Sequence, residues 1–327
     1  MTTLRVPSNL PTRLKRAAST MFTPFQDADR LCLLNYHRIL AQPDPLFDDE
    51  PTVETFRWQM RLLARYFNVL SLPDALTRLA AGRLPARAVC ITFDDGYRSI
   101  HDLAMPVLNE FNLPATVFVS TAYLDSGAMW NETIADAVRN LPEGIIDLSA
   151  AGIGTRMLRT STDRKILLNE LNDRAKYLPP AERLALTERL AAMAGSGGAE
   201  GLMLTPQMIR TMAAQRFEIG AHTVSHPILT SLSDDAARHE IVQCKRDLEA
   251  IVDTPVRYFA YPNGKVEKDF DERHVTMVRE AGFAAAFSTE VGPAVRGSDL
   301  YRLPRSRPWD HTPILFGLRL LHWLAQE

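Results

Sequence analysis

The segment Thr92-Phe93-Asp94-Asp95-Gly96 constrains this chain more than any other. It follows Ala88-Val89-Cys90-Ile91, an apolar run with the length and composition of a buried strand. Neighbouring side chains on a strand point to opposite faces. Two adjacent carboxylates therefore reach one cleft only where the strand ends and a glycine lets the backbone turn. Gathered in one cleft, they repel each other unless a cation or a shared proton intervenes. The segment asks for a metal, a proton-transfer role, or both.

The same kind of short apolar run recurs along the chain. Strands are predicted at 31–36, 68–71, 88–93, 115–120, 217–221, 257–260, 284–288 and 301–304. Helices are predicted at 53–66, 72–81, 99–111, 131–140, 205–215, 233–252 and 271–281. Strands alternating with amphipathic helices imply a mainly parallel sheet with helical crossovers. About eight such units suggest a barrel, with active residues gathered at the strand C-termini. The fold class is thus α/β, a distorted barrel of seven or eight units. Residues 141–204 break the rhythm with two helical runs, 162–177 and 180–193, and a Gly-Ser-Gly-Gly stretch at 195–198. They read as a helical insertion, either a packed helical hairpin or a wall that selects substrate. An N-terminal extension (1–29) precedes the barrel (30–310), and a C-terminal helix (311–327) follows it.

Composition excludes more than it assigns. With 327 residues, 46% hydrophobic, 23% charged and a net charge of −2, the chain has no basic field for nucleic acid. No stretch approaches the roughly 20 apolar residues of a membrane span. Residues 10–22 could form a short basic amphipathic helix, which leaves peripheral membrane contact open beside an ordinary surface helix. Cys32, Cys90 and Cys244 are odd in number and widely spaced, which predicts buried thiols in a reducing compartment. Without a signal-peptide pattern, the expected location is cytoplasmic.

Two further segments belong with the carboxylates. His222-Thr223-Val224-Ser225-His226-Pro227 follows the predicted strand 217–221 and brings two imidazoles within reach of one divalent metal. Two histidines, an aspartate and an open position make a catalytic metal arrangement, not a closed structural one. One aspartate can then bind metal while its neighbour accepts a proton from water. Arg257-Tyr258-Phe259-Ala260-Tyr261-Pro262-Asn263-Gly264 ends another strand in a turn that can present a backbone N–H to an oxyanion. Arg257 is a candidate partner for the free carboxylate. His37 closes the first strand, and its position suits a general acid.

These segments together resemble the polysaccharide deacetylases, the NodB-homology domain or carbohydrate esterase family 4. The resemblance rests on Thr92 to Tyr97, His222 to Pro227, and Arg257 with Phe259 to Gly264, and it covers roughly residues 30–305. It implies a distorted (β/α) barrel and metal-dependent removal of acetyl groups from an N-acetylated glycan, with Zn as the expected ion. Carried over residue by residue, Asp94 resembles the catalytic base, and Asp95, His222 and His226 the metal ligands. Arg257 resembles the arginine that orients the base. The backbone N–H near Asn263 resembles the oxyanion donor, where many relatives have Tyr. A Leu-x-His motif near the C-terminus, which supplies the acid in many members, is missing. The Tyr36-His37 opening instead resembles the branch that includes poly-N-acetylglucosamine deacetylases, so His37 is the expected acid and His311 the runner-up. Asn263, Tyr261 and Trp130 are the expected substrate-binding residues; Trp130 suits either stacking on a sugar or burial. A metal-dependent amidohydrolase on a non-sugar amide and a glycan-binding protein without turnover are the rival readings.

Overall fold

The computed structural model describes residues 29–125, 128–196, 201–308 and 310–326. The basic segment 10–22 and nearly all of the expected N-terminal extension lie outside the described residues. Seven parallel strands form one curled sheet: β1 (Arg30–Tyr36), β2 (Asn68–Val69), β3 (Ala88–Phe93), β4 (Ala115–Val119), β7 (Phe217–Ala221), β8 (Tyr258–Ala260) and β9 (Ala285–Phe287). The path runs β1-β3-β4-β7-β8-β9, and β2 pairs with the start of β3. A short strand missed in the sequence, β10 (Ala294–Val295), pairs antiparallel with the start of β1.

Burial on both faces explains the continuous apolar runs. Every residue of β3 is buried. Alternate residues divide between two cores, as the strand period requires. Cys32, Leu34, Val89 and Ile91 join the larger helix-packed core. Leu31, Leu33, Ala88 and Cys90 join a smaller one with Phe118, Tyr258 and Phe287. All three cysteines are buried free thiols.

The expected strand 301–304 does not form. In its place, an irregular segment joins the two ends of the curl. The Leu303 N–H donates to the Ala286 carbonyl at 3.0 Å, and the Ser306 N–H donates to the Leu33 carbonyl at 2.8 Å. Pro304 lies between these contacts and has no N–H to continue a ladder.

The insertion is not purely helical. A β-hairpin, β5 (Gly144–Leu148) with β6 (Gly154–Leu158), precedes its two helices. Between α4 (Trp130–Asn140) and α5 (Ser161–Ala175), this hairpin turns through Ser149–Gly152. With α6 (Pro180–Ala194), these elements share a core of their own, including Val138, Leu148, Leu158, Leu171 and Leu190. The alternation of Ile146 with Leu148 between two glycines was the available strand signal. The longer leucine stripes that follow outweighed it. No helix among the described residues is long and apolar enough to cross a membrane.

Candidate active site

The strand ladder continues into Asp94, whose N–H donates to the Tyr36 carbonyl at 2.9 Å. Asp95 then adopts a left-handed backbone, φ 75°, and Gly96 follows at φ 86°. A Cβ on Gly96 would come within 3.0 Å of Val119 Cγ1, so the turn requires glycine. This left-handed step lets two adjacent side chains reach one cleft although a regular strand would separate them.

The turned Asp95 meets both histidines. Its Oδ1 lies 3.4 Å from His222 Nε2 and 3.4 Å from His226 Nε2. All three residues are buried, and one ligand atom from each lies within 4.8 Å of the others. Ligands about 2.0–2.2 Å from a tetrahedral zinc stand roughly 3.4 Å apart, so the donor set fits a divalent ion. His222 Nδ1 contacts the Ala260 carbonyl at 2.8 Å, which leaves Nε2 turned to Asp95. Burial would lower the His222 pKa, but the Asp94 and Asp95 carboxylates overcome it and the pKa is raised. The carboxylates thus draw positive charge to this point. Burial pushes His226 down to about 4, which keeps its imidazole neutral for ligation at neutral pH. Burial also opposes ionisation of Asp95, yet its contacts with His222 and His226 hold its carboxyl below the usual range.

The loop between the histidines is braced from α8 (Asp234–Val252). Glu240 Oε2 accepts the Val224 and Ser225 N–H groups, each at 2.8 Å, and Oε1 accepts the Ser225 hydroxyl at 2.6 Å. Thr223 and His226 are both left-handed, at φ 66° and 51°. For a β-branched threonine this is a genuine outlier. Such residues persist only where their surroundings hold them, and Glu240 supplies part of that hold. Nothing in the local sequence marked Glu240, because its partner loop lies 15 residues earlier in the chain, before α8 begins.

Asp94 faces an arginine that sequence reasoning missed. Arg305 is fully buried and grips Asp94 through two hydrogen bonds, Nη1 to Oδ1 at 2.6 Å and Nη2 to Oδ2 at 2.7 Å. Its Nε donates to the Ser288 carbonyl at 3.2 Å, and its guanidinium lies 5.2 Å from the Phe118 ring centroid. Burial alone would raise the Asp94 pKa, but the charge and hydrogen bonds of Arg305, together with His222 and His37, outweigh it and hold the carboxyl below its ordinary value. Arg257 does not take this part. It precedes the first residue of β8, whereas Asp94 follows the last residue of β3, and in a parallel sheet these are opposite ends. Arg257 is half exposed and pairs with Glu218 at 3.0 Å. The available signal for Arg305 was its place immediately beyond the last apolar run.

Asp94, Asp95, His222, His226, His37 and Asn263 line one cavity of about 640 Å³. His37 Nδ1 is buried with no hydrogen-bond partner among the described residues. Burial lowers its pKa, aided by Arg307 and opposed by Asp95 and Glu50. His311 lines a different cavity, with Asp48, Glu50 and Pro308. Asn263 is left-handed, φ 57°, and its carbonyl accepts the Thr289 hydroxyl at 2.5 Å. Its N–H makes no hydrogen bond among the described residues. Trp130 lines the cavity. Tyr261 does not. It is fully buried, its ring stacks on Phe270 at 3.6 Å, and its hydroxyl donates to the Tyr301 carbonyl at 3.1 Å. The turn at Pro262 leaves Tyr261 in the core and presents Asn263 to the cavity.

Known proteins share this arrangement of chain. The poly-β-1,6-N-acetyl-D-glucosamine N-deacetylase of Staphylococcus epidermidis is 34% identical over 107 residues, 28% of this chain and 37% of that protein. The match thus spans little more than a third of that relative's length. Among solved structures, the Streptococcus pyogenes deacetylase PplD, in complex with acetate, aligns with a TM-score of 0.59 and 18% identity. That alignment covers 93% of this chain and all of PplD. IcaB from Ammonifex degensii aligns with a TM-score of 0.57 and 20% identity, over 91% of this chain and 98% of IcaB. At these identities the likeness is one of fold. The family profile of the polysaccharide deacetylases matches residues 81–286. That span holds Asp94, Asp95, His222 and His226 and most of the curled sheet, and the chain belongs to the polysaccharide deacetylase family.

Proposed function

We propose that this protein is a metal-dependent hydrolase that removes acetyl groups from an N-acetylated sugar polymer or oligosaccharide. One observation carries the reading: a buried Asp-His-His donor set stands beside a second carboxylate that its own arginine keeps ionised. Structural metal sites have no use for such a free base. The staphylococcal relative acts, by its name, on an N-acetylglucosamine polymer, which makes that polymer class the best-supported substrate.

Asp95, His222 and His226 would hold the ion, and their mixed nitrogen and oxygen donors suit zinc. A zinc ion there supplies Lewis-acid polarisation and a more acidic water. The chain's residues do the rest. Asp94, fixed by both Nη nitrogens of Arg305, accepts the proton of the attacking water. The Asn263 N–H donates to the acetyl oxygen as it gains negative charge. His37 gives a proton to the departing sugar amine. Trp130 offers its ring to the substrate at the cavity wall.

Acetate release from N-acetylglucosamine and its β-1,6-linked oligomers, before and after chelation and with zinc restored, tests the reading. Release that is lost on chelation and recovered with zinc supports it. Release only from a non-sugar amide would favour a general amidohydrolase. Glycan binding without any release would make the protein a binder.

A further inference from the structure

His37 has less to hold its side chain than its neighbours in the cavity. Its Nδ1 makes no hydrogen bond among the described residues. Asp94, by contrast, is gripped by Arg305, and Asp95 meets two histidines. The place of His37 is therefore set by the chain on either side of it. On one side, the Tyr36 carbonyl accepts the Asp94 N–H at 2.9 Å, and the Tyr36 hydroxyl donates to Gln59 at 3.1 Å. On the other side stands Arg38, which is buried.

Arg38 is the centre of a polar hub. Its Nη1 donates to Glu132 Oε2 at 3.0 Å, and its Nη2 donates to Glu132 Oε1. Nη2 also donates to the Tyr97 hydroxyl at 2.7 Å, and that hydroxyl donates to Glu132 Oε1 at 2.8 Å. The guanidinium lies 4.2 Å from the ring centroids of both Phe47 and Tyr97. The next residue is held too, because the Ile39 N–H donates to the Ser99 hydroxyl at 3.1 Å. Three segments thus meet at one buried point. They are the turn after β1 that carries His37, the turn after β3 that carries Asp94 and Asp95, and the first turn of α4. Arg38, Tyr97 and Glu132 do not line the catalytic cavity, so they reach its chemistry only through the chain they hold. Stability alone does not call for such a pair, since apolar residues often replace a buried ion pair without loss. What a forked, stacked arginine supplies is a fixed geometry.

We propose that the hub of Arg38, Glu132 and Tyr97 is a positioning device for His37. It sets the spacing between this proton donor and the carboxylates at the end of β3. The proposal rests on the deacetylase reading for the role of His37. A misplacement of about 1 Å can cost on the order of 100-fold in rate, so a loosened hub slows the step that His37 serves and no other.

The test separates loss of the acid from loss of the site. An amine leaves an acetyl group only with a proton, whereas 4-nitrophenolate leaves without one. Acetate release from N-acetylglucosamine oligomers and from acetanilide is compared with hydrolysis of 4-nitrophenyl acetate on the zinc-loaded chain, with zinc content measured. Arg38→Met combined with Glu132→Met removes both charges together and so leaves neither one buried alone. Tyr97→Phe removes only a hydroxyl. Both variants should cleave the amides about tenfold or more slowly through kcat, with KM, the ester rate and zinc content unchanged. In a His37→Ala background the same substitutions should add little, because they act through His37. Equal slowing of amides and ester, loss of zinc, unchanged amide rates, or full additivity with His37→Ala would overturn the positioning role. A parent chain that cleaves acetanilide but no sugar amide would overturn the deacetylase reading, and the same split between anilide and ester would still uphold the hub. A parent chain that cleaves neither amide would overturn both.

Discussion

At Asp94 the governing neighbour is a guanidinium 211 residues away in the chain. Removing one member of a buried pair costs about 3–5 kcal/mol, because the other is left charged and unpaired. Arg305→Met should therefore destabilise the protein on that scale at neutral pH. Arg257→Ala breaks only a half-exposed pair with Glu218 and should shift stability by about 0.5 kcal/mol or less. Urea denaturation of the two variants checks this, and equal effects would contradict the pairing. The pH dependence follows from the depressed Asp94 pKa. A carboxyl held below its unfolded value contributes stability above that value and loses it as pH falls through the folded one. The gap between the parent chain and Arg305→Met should therefore be widest near neutral pH and shrink steadily as the solution is acidified, because Asp94 without its arginine takes up a proton at higher pH than in the parent. A gap that widened in acid would show that Arg305 acts on something other than the charge of Asp94.

Elements place the acid as well as the base. His37 immediately follows β1, one strand from Asp94, and shares its cavity, whereas His311 precedes the C-terminal helix α10 (Pro313–Leu324) and lines another. His37→Ala should slow acetate release about 100-fold or more, the usual scale of general acid–base catalysis. His311→Ala should leave it unchanged. The reverse ranking in steady-state rates would move the proton donor to the second cavity. The same scale shows what the sequence could reveal. Asp94, Asp95, His222 and His226 were legible because each stands just beyond a buried apolar run, where local pattern and chemistry coincide. Arg305 was not, because Pro304 breaks the ladder beside it and the segment reads as a fading strand. Arg257 attracted the role because it begins a strand-like run, but a strand's beginning is the wrong end of a parallel sheet. Glu240 is visible only once α8 packs on the histidine loop.

Across the whole molecule, the curled sheet and the insertion contribute different things. The sheet was legible as alternating apolar runs and helices, and its strand ends deliver the charged residues to one cavity. The insertion was legible as a break in that rhythm, but its hairpin was not, because pairing between β5 and β6 depends on a core shared with α4, α5 and α6. That separate core holds Asn172 at the cavity wall beside Trp130. The central claim concerns the division of labour between two adjacent carboxylates, one for an ion and one for a proton. Zinc content and acetate release from β-1,6-linked N-acetylglucosamine oligomers, measured together on Asp94→Asn and Asp95→Ala, test it most directly. The predicted result is that Asp94→Asn keeps its zinc and releases no acetate, while Asp95→Ala loses both. An Asp94→Asn chain that still released acetate at the parent rate, or an Asp95→Ala chain that kept its zinc, would contradict it.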